Sequence, residues 1–120
     1  MNTQELNELI GCLVSNRPKL KKVCDTWGNQ PMLTVAMEEN AEMIQAISKI
    51  KRYGPNLDNS SHLNEEVADV LICICELFVM GYLDVHEIAK IIERKVERSM
   101  IRTQDYIYES EAEARCNGEF

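Results

Sequence analysis

The stretch from Val67 to Met80 limits the fold of this chain more than any other segment. Leu71, Ile72, Ile74, Phe78 and Val79 point to different sides of a helix. A helix that is apolar nearly all round has to be buried on several faces. At fourteen residues it is shorter than the ~20 needed to cross a bilayer, and it contains Asp69 and Glu76. The rest of the chain must therefore supply walls for it. The length, 120 residues, suits one domain. A domain this small leaves much of its surface exposed, so a second copy is expected to complete the burial, giving a homodimer at least.

The walls read as further helices. Only three prolines and five glycines punctuate the chain, and no strictly alternating aromatic or β-branched run argues for a sheet. A first helix is predicted near Asn2, where Asn2 and Glu5 have capping-box spacing, with Leu6, Leu9, Ile10, Leu13 and Val14 on its apolar face. Asn16-Arg17-Pro18 is expected to interrupt it. A second short helix then starts at Pro18, carries Leu20, Val23, Cys24 and Trp27, and ends at Gly28. Gln30-Pro31 opens a long helix to about Arg52, burying Leu33, Met37, Ile44, Ile47 and Ile50, and Tyr53-Gly54-Pro55 stops it. Asn56–Ser61 reads as a polar loop. The next helix runs from Ser60 or Ser61 to about Met80, with Gly81 as terminator. The last starts at Asp84, paired with Glu87, and carries Ile88, Ile91, Ile92, Val96 and Met100 before ending between Arg102 and Tyr108. These elements make an all-α helical bundle: one domain over residues 1–108, followed by a flexible acidic tail over 109–120.

The formal net charge is −7. Bulk attraction to a nucleic-acid polymer needs Lys and Arg in excess, so that class is excluded, as is a membrane partner. A phosphate ligand can still be held locally. Five cysteines, at 12, 24, 73, 75 and 116, form no C-x-x-C pair. They read as reduced and mostly buried, as in a cytoplasmic protein. The opening MNTQELNELI is polar and amphipathic, unlike a signal peptide.

Two acidic pairs carry the chemistry. Glu39-x-x-Glu42 lies on one predicted helix and Glu66-x-x-Asp69 on the next. Residues three apart share a helix face. If the two helices pack antiparallel, four carboxylates converge between them. At ~5 Å and an effective dielectric of ~20, each like-charge pair repels by about 3 kcal/mol. Such groups must be solvated, protonated or bound to a cation. Asp69 is the most informative, because its neighbours Val67, Val70 and Leu71 are apolar and a charge there is seldom left unpaired. All-oxygen ligands suit a hard cation, and Mg²⁺ commonly bridges to substrate phosphates. Taken singly, each pair could also be an ordinary solvated face.

With these motifs in order, the sequence resembles the MazG-like family of the all-α nucleoside triphosphate pyrophosphohydrolase superfamily. The matching stretches are Glu39–Glu42 continued to Lys49, and Glu65-Glu66-Val67-Ala68-Asp69-Val70-Leu71-Ile72. Trp27-Gly28 with Gln30 resembles the lead-in, and Glu93–Arg98 resembles the basic closing helix. The likeness covers roughly Leu20 to Arg102. It implies Mg²⁺ (with Mn²⁺ able to substitute) on Glu39, Glu42, Glu66 and Asp69. The reaction it implies is cleavage of a nucleoside triphosphate between the α and β phosphates, with water as nucleophile. It also allows a tetramer built from two dimers. Glu38 and Glu39 become the candidate catalytic carboxylates; Glu38 and Glu65, each beside a ligand position, could serve as base, with Glu38 the better placed of the two. Gln30, Lys49, Arg52, Lys95 and Arg98 become candidates for holding substrate, and Arg102 shares the stripe of Lys95 and Arg98.

Other readings stay open. Phosphoribosyl-ATP pyrophosphohydrolase activity belongs to the same superfamily, and a non-catalytic helical module that binds metal or nucleotide would carry the same acidic face. Trp27 could stack on a base or fill a core or interface. His62 and His86 lack the E-x-x-H spacing of a di-iron site, and no P-loop is present.

Overall fold

A computed structural model describes residues 1–118 of the chain. It is all-α: helices α1 (Thr3–Trp27), α2 (Asn29–Tyr53), α3 (Leu57–Val79) and α4 (Val85–Cys116), with no strand among the described residues. The first three helices form one compact unit, Met1–Leu83, and α4 is a separate unit.

The N-terminal signal of α1 is as predicted. Asn2 accepts from the Glu5 backbone N–H at 2.8 Å, and the Asn2 N–H donates to Glu5 Oε2 at 2.7 Å. The expected break at Pro18 does not occur, and α1 is one continuous helix with Pro18 inside it. Proline removes its own N–H, which would have served the carbonyl of Val14, and its ring crowds that carbonyl. Val14 is exposed, so water can take that carbonyl, and the local cost is outweighed by the packing of α1 on both α2 and α3.

Two junctions turn on glycine. Gly28 alone separates α1 from α2, at φ 84 and ψ 165, and Gly54 ends α2 at φ 78 and ψ 167. That region of backbone space is essentially reserved for glycine. Beyond Gly54 the connection is only Pro55 and Asn56, because α3 begins about a turn earlier than the polar composition indicates. Asn56 caps it, accepting from the Asn59 N–H at 2.8 Å. The segment read as a loop is thus mainly the first turn of α3, where Asn and Ser suit the uncapped N–H groups.

So short a link makes α2 and α3 an antiparallel hairpin, and their register follows by counting from Gly54. Glu42 and Glu66 stand twelve residues away on either side, Glu39 and Asp69 fifteen, and Met32 and Glu76 twenty-two. The core of this unit is Cys24, Met32, Ala36, Ala46, Val70 and Cys73. The face of α2 turned inward is therefore not the expected one. Leu33 and Ile50 are half-buried, but Met37, Ile44 and Ile47 are 75%, 66% and 49% exposed. Small alanines on the 32–36–46 stripe let α3 approach closely, and the bulky residues lie on a second stripe.

α4 starts as predicted, with Asp84 accepting from the Glu87 N–H at 3.0 Å, but it continues past Tyr108 to Cys116. Residues 109–115 lack an apolar stripe yet are rich in Glu, Ala and Arg, whose helix propensity carries the helix on. Most of the expected tail is thus helical, and its last two residues, 119 and 120, lie outside the described residues. No residue of α4 is buried.

Candidate metal centre

The register of the α2–α3 hairpin brings the acidic pairs together. Glu39, Glu42 and Glu66 each offer a carboxylate oxygen, and the three oxygens lie within 4.8 Å of one another. Asp69 is outside this trio, but its charge acts on both Glu39 and Glu66, so it stands at the edge of the cluster. Burial differs from residue to residue: Glu66 is buried at 7% exposure, Glu39 and Asp69 are half-buried, and Glu42 is exposed.

The electrostatics are those of a site short of positive charge. Burial, reinforced by the Glu42 and Asp69 carboxylates, pushes Glu39 up to about 6. Burial and then Glu42 push Glu66 upward, against a downward pull from His62. The His62 imidazole is 3.6 Å from Glu66 Oε1, an ion pair only when protonated. His62 lacks the E-x-x-H spacing, and its four-residue lead over Glu66 is the signal in the sequence that places the two on one face. Two oxygens, Glu39 Oε2 and Glu66 Oε2, are buried without a hydrogen-bond partner among the described residues. A buried carboxylate oxygen left unmatched is costly. A hard divalent cation matches this donor set, since every donor is a carboxylate oxygen and both Glu39 and Glu66 have a buried oxygen with no partner among the described residues.

The remaining predicted residues lie elsewhere. Glu38 is exposed beside Glu39 on α2 and does not belong to the trio. Gln30 is exposed in the first turn of α2, where its carbonyl accepts from Thr34 Oγ1 at 3.2 Å. Lys49 and Arg52 line an open depression with Ile44, Gln45 and Ser48 near the C-terminal end of α2. Arg52 Nη2 donates to Ser48 Oγ at 3.2 Å. Lys95, Arg98 and Arg102 are exposed along α4.

Glu76 was missed as a functional candidate. It is 5% exposed, and Cys24 Sγ donates weakly to its Oε2 at 3.9 Å. Burial pushes its carboxyl upward. Like Asp69 seven residues earlier, Glu76 is a charge inside an apolar run, and that is the signal in the sequence that marks it.

An all-α hairpin that gathers carboxylates from two adjacent helices defines a class of helical proteins suited to a divalent cation. The family model for the MazG nucleotide pyrophosphohydrolase domain matches residues 28–100, and the chain belongs to this family. The matched span contains all four acidic positions and begins at the glycine joining α1 to α2. Neither the curated proteins nor the solved structures give a significant match to the chain. No helix among the described residues is long and apolar enough to cross a membrane.

Proposed function

We propose that this chain hydrolyses a nucleoside or deoxynucleoside triphosphate to the monophosphate and pyrophosphate, using Mg²⁺ held by Glu39, Glu42, Glu66 and Asp69. The observation that carries this reading is the convergence of three carboxylate oxygens within 4.8 Å, two of the clustered residues having a buried oxygen without a partner among the described residues. When bound, the cation supplies Lewis-acid polarisation of phosphate oxygens and eases deprotonation of water. The chain's own task is positioning and charge compensation, which dominate phosphoryl transfer. In this reading Glu38, exposed next to Glu39, accepts the proton of the attacking water. Lys49 and Arg52 offer positive charge to the phosphates from the same helix.

The test is incubation with the eight common nucleoside triphosphates in Mg²⁺ or Mn²⁺, scoring monophosphate and pyrophosphate. Release from at least one, lost by 100-fold or more in Glu42→Gln and Asp69→Asn, is the expected result. No release from any of them, with phosphoribosyl-ATP also inert, would leave a helical module that binds without turnover.

We also infer that the chain works as a homodimer or larger assembly. Support comes from the second apolar stripe of α2, where Met37, Ile44 and Ile47 are exposed. Exposed apolar faces of this kind mark association surfaces. Light scattering at micromolar concentration checks it, and a monomeric mass removes it.

A further inference from the structure

We propose that Glu76 is a specificity-determining residue: it makes the pocket formed with Val23, Trp27, Pro31, Met32 and Val35 prefer nucleobases bearing an exocyclic amino group over their keto counterparts. The proposal deepens the nucleotide reading above and rests on it.

The pocket has a volume of about 510 Å³ and lies wholly within the α1–α3 unit. Apolar side chains from α1 and α2 make most of its lining, and Trp27, 68% exposed, offers an aromatic surface. One carboxylate lines it, Glu76 from α3. That side chain is more than nine-tenths buried, and the hydrogen bond it makes among the described residues is the long, weak one from the Cys24 thiol. A carboxyl group can take several hydrogen bonds, so Glu76 has acceptor capacity left over. Apolar walls with a single convergent polar group are the composition of a site for a flat heterocycle.

The position suits a nucleoside attached to the acidic cluster. Met32 and Val35 lie on α2 seven and four residues before Glu39, and Glu76 lies seven residues after Asp69 on α3. At 1.5 Å per residue, seven residues correspond to about 10 Å along the helix. That is the scale of the step from the phosphates of a nucleotide to the far edge of its base. The antiparallel register places Met32 and Glu76 at the same height, so both helices reach the pocket.

The chemistry then selects. An exocyclic amino group donates to the Glu76 carboxylate. A keto oxygen at the same place brings two acceptors together, and the ring N–H beside it can reach the carboxylate only if the base shifts along its edge within the pocket. Sites that hydrogen-bond a polar substrate group discriminate strongly against analogues lacking it.

Trp27 is the only tryptophan, so its fluorescence reports occupancy directly. The experiment titrates the full chain, without divalent cation, with deoxycytidine against deoxyuridine and deoxyadenosine against deoxyinosine. Within each pair the exocyclic group changes from amino to keto and the adjacent ring nitrogen changes from acceptor to N–H donor, so the comparison reads that edge of the base. The amino member is expected to bind at least tenfold more tightly in both pairs. Glu76→Gln keeps the shape but replaces one acceptor with a donor, and it should shrink that ratio at least tenfold. Equal affinity within both pairs, absence of any fluorescence response, or an unchanged ratio in a folded Glu76→Gln overturns the proposal. Should Glu76→Gln fail to fold, Val35→Phe decides: it fills the pocket from a partly exposed position and should abolish binding of both amino nucleosides, and retained binding overturns the proposal. No turnover is measured, so the two readings fail separately. Hydrolysis without base discrimination removes the role of Glu76, and discrimination without hydrolysis removes the enzymatic reading.

Discussion

Replacing Glu39 with glutamine should stabilise the metal-free protein and weaken it once metal is present. In the native chain Glu39 titrates at about 6 instead of 4.5, because burial and neighbouring carboxylates disfavour its charge. The native state therefore binds a proton more tightly than the unfolded state between these values. Stability falls as pH rises through the window, and the penalty is fully present above about 6 and absent below about 4.5. A change of this size corresponds to about 2 kcal/mol. Solvent reaches part of the cluster, and screening reduces this to about 1 kcal/mol. Glu39→Gln removes the charge. In EDTA at pH 7.5 its Tm should therefore exceed that of the native chain by roughly 4 °C, the shift expected for about 1 kcal/mol in a domain of this length. At pH 4.5 the difference should vanish. Saturating Mg²⁺ should reverse the order, because a ligand at 100 times its Kd stabilises the intact site by about 2.7 kcal/mol and the variant has lost one oxygen ligand. Thermal melts followed by circular dichroism, at one fixed protein concentration, read all three conditions. A variant that is less stable than the native chain in EDTA at pH 7.5 refutes the account of Glu39 as a strained carboxylate. A gain that persists unchanged down to pH 4.5 refutes the assignment of the strain to its charge.

Two backbone substitutions test the framework that holds the cluster. Gly54→Ala has free space for the added methyl but no comfortable backbone conformation at φ 78, so urea unfolding should show a loss of about 1–3 kcal/mol; an unchanged midpoint would mean that the α2–α3 turn is not fixed there. Pro18→Ala restores an N–H to the interior of α1 and should raise stability by up to ~3 kcal/mol in the same assay. A loss in its place would show that the proline ring packs favourably.

Much of the architecture was legible because it rests on short-range signals. The capping pairs Asn2/Glu5 and Asp84/Glu87, the stop at Gly54 and the spacing of the four acidic residues are all decided by neighbours within one helical turn. What escaped depends on partners distant in sequence. Pro18 looks like a break until the packing of α1 on two helices is known. Asn56–Ser61 has a loop's composition, yet the same residue types serve a helix's first turn. The inward stripe of α2 could not be ranked by bulk alone, because Ala36 and Ala46 matter for being small. Residues 109–116 show no amphipathic pattern and are helical by propensity. Glu39, Glu42 and Glu66 come together as their spacing suggests, whereas the meeting of Glu76 with Cys24 joins α3 to α1 across 52 residues of sequence.

The equal count of residues on the two arms of the α2–α3 hairpin has an asymmetric consequence for changes in chain length. One residue added within either arm, between Gly54 and the carboxylates, rotates everything beyond it by about 100° and swings two of the four acidic groups off their shared face. The same residue added at the bend alters no helical phase, and the bend lies about 18 Å from Glu42 and Glu66 along the rods. The hairpin can thus be lengthened or decorated at its tip while its chemistry stays intact, and shortened or lengthened along its arms only in near-whole turns matched on both arms, since a turn on one arm alone slides its acidic pair by about 5.4 Å.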